Sequence, residues 1–159
     1  DLNKDRFPSR LLLTFEQDGE TYAFTIGTGM FSMPNADRYY AEYEAYARCE
    51  FAVKYPSKAL SKEEELELFS SIGGLCSLPW HAIDCVGHGH TLDIRVKGNS
   101  GCVLIDDDKS ADPLPLHLKQ EGVHLYWIRS VEDEIFAKLR DEEKKDSLLE
   151  QLSLRTELL

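Results

Sequence analysis

The stretch Leu11-Leu12-Leu13-Thr14-Phe15-Glu16-Gln17-Asp18-Gly19-Glu20-Thr21-Tyr22-Ala23-Phe24-Thr25-Ile26 decides the class of fold. Its two flanks, Leu11 to Glu16 and Thr21 to Ile26, are rich in strand-forming residues. Between them Gln17-Asp18-Gly19-Glu20 is a short polar loop whose Asp-Gly pair accepts the positive φ of a tight turn, so an antiparallel hairpin is expected. The whole chain has 159 residues, 42% of them hydrophobic and 30% charged. That length suits one domain able to bury its apolar surface without disulfide or metal staples, and the composition excludes disorder and fibrous structure.

Beyond the hairpin, Gly27 to Pro34 breaks the strand pattern and a polar tract follows from Asn35 to Glu44. From Tyr46 to Tyr55 the alternation returns: Ala47, Cys49, Phe51 and Val53 point one way, and Arg48, Glu50, Ala52 and Lys54 the other, before Pro56 ends the strand. Ser61-Lys62-Glu63-Glu64 is a capping box, and Leu66, Phe69 and Ile72 recur at helical spacing, so a helix is expected from Lys62 to about Ser71, stopped by Gly73-Gly74. A second hairpin is expected from Leu92–Val96 and Cys102–Ile105 around the turn-forming Lys97 to Gly101. Val123 to Arg129 reads as a last strand, and Ser130 to Asp133 as the cap of a helix that carries Val131, Ile135, Phe136 and Leu139 on one side. Leu148, Leu149 and Leu152 line a final helix behind Asp146. The expected architecture is a single α+β domain over residues 1–159, a twisted, mostly antiparallel sheet flanked by helices.

Eighteen basic against twenty-nine acidic residues give a net charge of −11. Such a field repels phosphate backbones and anionic head groups, so neither nucleic acid nor a membrane is an expected partner; a solvated acidic surface is the simpler expectation, and fast encounter with a basic protein the alternative. Apolar runs are a few residues long where a membrane span takes roughly 20, and no apolar export segment is seen, so the protein is expected in the cytoplasm. Cys49, Cys76, Cys85 and Cys102 form no C-x-x-C pair and read as free thiols, and no metal or cofactor is expected.

Several segments have the composition of chemistry. His81, Asp84, Cys85, His88 and His90 fall within ten residues and could make a metal-dependent or thiol hydrolase, which is the alternative function. No H-E-x-x-H or second ligand motif accompanies them, and histidines bonded to backbone in a loop are the simpler expectation. Gly27-x-Gly29 lacks the third glycine of a dinucleotide fingerprint and reads as a loop that ends a strand. Asp106-Asp107-Asp108 lacks the spaced ligands and glycine of a calcium loop and reads as a solvated turn. Tyr39, Tyr40, Tyr43 and Tyr46 are aromatic residues with polar tips; on a helix Tyr39 would share a face with Tyr43 or Tyr46, an arrangement that serves either a protein interface, where such residues are enriched, or structural packing.

Taken in order, Thr28-Gly29-Met30 with Ser32, Arg48-x-Glu50-Phe51, Pro79, Gly87-His88-x-His90-Thr91 and the strand Val123 to Arg129 running into Val131-Glu132-Asp133-Glu134 resemble the suppressor of fused domain family in its short bacterial form. The likeness covers about Tyr22 to Leu152. It departs at Ser130, where a proline is usual, and at the charged run Asp141 to Asp146, where a glycine usually separates the last helices. The resemblance implies a mixed α/β domain that works by binding protein, with no catalytic residues, and in bacteria an immunity protein that blocks a toxin by contact. The contact surface is then expected among Tyr39, Tyr40, Tyr43, Gly87, His88 and His90, where aromatic anchors ringed by charge make the usual hot spot.

Overall fold

Asp18 and Gly19 both take positive φ, 53° and 82°. They make the two-residue turn between strands β1 (Leu11–Gln17) and β2 (Glu20–Ile26), with Leu11 opposite Ile26, Leu13 opposite Phe24 and Phe15 opposite Tyr22. The opening hairpin therefore forms as expected. The computed structural model describes residues 11–39, 41–81, 85–94, 99, 101–113 and 122–154.

Strand β3 (Cys49–Pro56) adds to β2 in antiparallel fashion, and β6 (His124–Val131) lies beside β3 in parallel. Strand β5 (Gly101–Asp106) runs antiparallel to β6, and the two-residue β4 (Thr91–Leu92) completes the six-stranded order β1-β2-β3-β6-β5-β4. Helices α1 (Tyr43–Tyr46), α2 (Lys62–Leu75) and α3 (Leu78–His81) lie in connections between strands, and α4 (Asp133–Leu139) and α5 (Glu142–Ser153) follow β6. The architecture is the expected α+β one, with β3–β6 as the parallel exception.

Side-chain alternation divides the core in two. Cys49, Phe51, Val53 and Tyr55 of β3, with Cys102, Leu104, Tyr126 and Ile128, pack under Leu68, Ile72 and Leu75 of α2 on one face of the sheet. Ala52, Val103, Ile105, Trp127 and Val131 pack on the other face under Phe136, Leu139, Leu149 and Leu152 of α4 and α5. Each fully buried large apolar side chain contributes about 1.5–3 kcal/mol, so the sheet centre is the stable part of the molecule. Gly101 lies against the Phe136 ring so closely that a Cβ there would overlap it, which brings α4 down onto β5.

Several boundaries differ from the sequence reading: the strand expected over Leu92–Val96 is only the two-residue β4, with Asp93 and Ile94 beyond its end. Strand β3 starts at Cys49, and Tyr46 belongs to α1 instead. Helix α2 has the capping box, with Ser61 Oγ accepting from the Glu64 N–H and Glu64 accepting from the Ser61 N–H, but it runs through Gly73-Gly74 to Leu75. Two mid-helix glycines cost about 1 kcal/mol each, and burial of Ile72 and Leu75 offsets it. Its buried stripe is Leu68, Ile72 and Leu75, whereas Leu66 is 67% exposed. Ser130 remains in β6, paired with Cys102, so α4 starts after Glu132 without a side-chain cap; α5 begins at Glu142, ahead of Asp146. Val96 and Lys97 lie outside the described residues, as does Leu159.

Candidate functional site

Glu50 and the Thr28-Gly29-Met30 segment, two of the pieces quoted for the family likeness, meet in a clamp at the end of β2. Glu50 Oε1 accepts from the backbone N–H groups of Gly27 and Gly29 at 2.8 and 2.9 Å, and Oε2 accepts from the Thr25 hydroxyl at 2.6 Å. Thr25 Oγ1 accepts in turn from the Phe51 N–H at 2.8 Å. Gly27 sits at φ 98°, a conformation that favours glycine, and a Cβ on Gly29 would press on Val123 at 2.8 Å. Thr28-Gly29-Met30 and Glu50 thus fix a chain reversal, and Gly27-x-Gly29 is the strand-ending loop expected of it.

A second set of polar groups gathers where β5 ends and β6 begins. Antiparallel pairing puts Asp106 opposite Tyr126, and parallel pairing puts His124 opposite Cys49, which brings the Tyr46 segment to the same place. Asp106 Oδ2 lies 2.9 Å from His124 Nδ1, and Asp106 Oδ1 accepts from the Asp108 N–H at 3.0 Å. Burial works to raise the Asp106 carboxyl, but the hydrogen bonds from His124 and the Asp108 amide outweigh it and hold the group below its ordinary value. The His124 ring makes two stacking contacts, with the Tyr46 ring 4.6 Å away and the Tyr126 ring 6.0 Å away. Asp107 is buried and accepts from the Trp127 indole N–H at 2.7 Å. The solvated turn expected of these three aspartates is therefore corrected: two of the three are buried, because each closes a hydrogen bond from the end of the sheet.

The Gly87 to His90 loop straps onto β5. Gly89 N–H donates to Leu104 O and Leu104 N–H to His90 O, continuing the β4–β5 ladder. His88 Nδ1 accepts from the Asp106 N–H at 3.2 Å, and His90 Nδ1 accepts from the Gly87 N–H at 3.2 Å. Gly89 takes φ 78° beneath Leu149 and Lys145 of α5. Both imidazoles therefore bond backbone, as the simpler reading expects. Gly87 is buried and the two histidines are half-buried. Cys85 is buried with its Sγ on the Val86 carbonyl. Burial pushes the Cys102 thiol up to about 12. Asp84 and the side chain of His81 lie outside the described residues. So do Tyr40 and the side chain of Tyr43. Tyr39 is exposed after a 3-10 turn at Ala36–Arg38, so the tyrosine tract is two short turns and not one helix.

His90 carries a pH dependence. Burial, reinforced by nearby Lys145, lowers its pKa, so the unfolded chain takes up the proton first. Stability from this group is full above the ordinary histidine value of about 6.5 and is lost as pH falls through the lowered folded value. His90→Asn keeps an acceptor near the Gly87 amide and removes the titration, so its unfolding free energy should fall less steeply than wild type on acidification below neutrality. Denaturant titrations at several pH values check this, and parallel slopes would refute it.

Sequence reasoning singled out the polar loops and passed over an apolar face. On the hairpin, Leu11, Leu13 and Phe15 of β1 and Ile26 of β2 point to one side and are 56%, 51%, 42% and 43% exposed. Phe15 stacks on Tyr22 and Phe24, with ring centroids 5.1 and 5.8 Å away, and Phe24 meets Trp127 edge-on at 5.8 Å. The face is thus an extension of the α4–α5 core surface, and among the described residues no helix covers its β1–β2 half. At one corner Lys54 pairs with Glu20 at 2.7 Å and lies over the Tyr22 ring. Among the described residues strand β1 is also an edge of the sheet, and Glu16 is its one charged residue. The alternation of Leu11, Leu13 and Phe15 opposite Tyr22, Phe24 and Ile26 was the signal that could have found it.

No family model matches this chain, and no curated protein or solved structure matches it. No helix among the described residues is long and apolar enough to cross a membrane.

Proposed function

We propose that this protein is a non-enzymatic protein-binding module whose docking surface is the bare β1–β2 face, and that in a bacterium it acts as an immunity protein neutralising a toxin. The observation that carries the reading is the run of exposed Leu11, Leu13, Phe15 and Ile26 on an edge hairpin. Contiguous exposed apolar surface rimmed by polar groups marks interaction sites, and an unprotected edge strand offers backbone groups for pairing. The net charge of −11 commits the partner to a basic protein, since a second copy of this chain would bring like charge to the same face. The resemblance to the suppressor of fused domain family supports the immunity reading. Four buried free cysteines support a cytoplasmic setting, where thiols stay reduced.

The test is co-expression with the basic proteins encoded beside it. A stoichiometric complex that protects the host from one of them is the expected result. Leu13→Asp or Phe15→Asp, both on exposed positions, should weaken that complex at least about tenfold while leaving the fold intact, the loss of roughly 1.4 kcal/mol that marks a real anchor. No complex with any neighbour's product, or variants that bind as wild type does, would overturn the proposal. A homodimer dissolved by Leu13→Asp would assign the face to self-association and overturn it equally.

A further inference from the structure

We infer that Asp106, Asp108 and His124 form a binding site for a divalent transition-metal ion at the end of β5. One oxygen from each carboxylate and one imidazole nitrogen lie within 4.8 Å of one another. Metal–ligand bonds of about 2.1 Å put neighbouring donor atoms about 3.0 Å apart in an octahedral shell and about 3.4 Å apart in a tetrahedral one. The 2.9 Å between His124 Nδ1 and Asp106 Oδ2 matches an octahedral edge. Here a hydrogen bond spans that edge; an ion takes the place of its proton, and two carboxylates then face a double positive charge.

The donors are held from outside the cluster. Tyr46 and Tyr126 stack on the His124 imidazole and set its plane, and the Asp106 amide is bonded to His88 Nδ1. Such supporting contacts keep ligands in place and tune affinity. Asp107 points away to the Trp127 indole, so alternate aspartates of the run face the ion and the core. Asp106 is buried and His124 half-buried, while Asp108 is exposed and gives the ion a way in. One imidazole with two carboxylates suits Mn2+, Fe2+ or Zn2+ better than Ca2+, which takes oxygen alone, or Cu(I), which prefers sulfur. Three protein donors leave the remaining positions to water. The inference is independent of the docking face, which lies on the β1–β2 hairpin.

The test is titration of the chelator-treated full chain with Zn2+ and, separately, Mn2+ at neutral pH, read by calorimetry and by the thermal midpoint. About one equivalent of at least one of the two ions should bind and raise the midpoint. Asp108→Asn and His124→Gln should each lower affinity by about tenfold or more. Asp108 is exposed, so its variant is expected to fold and decides the matter if His124→Gln does not; circular dichroism in chelator checks this. Less than about one-tenth equivalent of either ion on the wild type, or binding that Asp108→Asn leaves unchanged, would overturn the inference, the latter because the ion would then sit on other histidines.

Discussion

Glu50→Ala is expected to destabilise the protein by roughly 3–4 kcal/mol. The carboxylate accepts three hydrogen bonds, and two of its donors are the buried backbone amides of Gly27 and Gly29. Each amide left without an acceptor costs about 1–3 kcal/mol, far more than the near-balanced exchange of a hydrogen bond that water can replace. Thr25, which also receives the Phe51 amide, loses its own acceptor, so the damage spreads into the β2–β3 ladder. Glu50→Gln retains one carbonyl oxygen and should recover part of the loss. Urea unfolding of the three proteins measures this; an alanine variant within about 1 kcal/mol of wild type would show that the clamp is dispensable.

Trp127→Ala should cost about 3–5 kcal/mol, the usual range for emptying a large aromatic site. Trp127 is buried in β6 and joins three parts of the molecule: its ring meets Phe24 edge-on, its body packs in the cluster under α4 and α5, and its indole N–H binds Asp107. Trp127→Phe separates these contributions. It keeps much of the ring packing and removes the donor to the buried Asp107 carboxylate, so a loss of about 1–3 kcal/mol is expected from the polar contact. Thermal and denaturant unfolding of both variants, compared at one pH, give the two quantities. Equal stability of Trp127→Phe and wild type would mean that the Asp107 bond adds nothing.

Much of the sheet was legible because its signals are local. The Asp18-Gly19 turn, the alternation through Phe51 and Val53 and the capping box at Ser61 each depend on residues a few positions apart. What was misread depends on residues far apart. Leu66 and Leu68 fit a helical stripe almost equally well, and only the position of the sheet decides that Leu68 is buried. Gly73-Gly74 stops an isolated helix, but Ile72 and Leu75 pull this one onward. Asp106 and His124 are brought together by strand pairing between segments that share no local pattern, which is why three consecutive aspartates looked like a solvated turn. Which part of the opening hairpin stays exposed is also nonlocal, since it depends on α4 and α5 packing over the β3–β6–β5 side of the sheet.

The strand order has a consequence for synthesis. Among the described residues the first three strands are hydrogen-bonded to the last three through the parallel pairing of β3 with β6, and everything from Pro56 to His124 intervenes along the chain. A nascent chain leaving the ribosome can zip β1, β2 and β3 early, but the inner edge of that half stays open until β6 has emerged. In that interval Phe51 and Val53 lack their central neighbours, and chaperone engagement should be heaviest on nascent chains stalled just before β6.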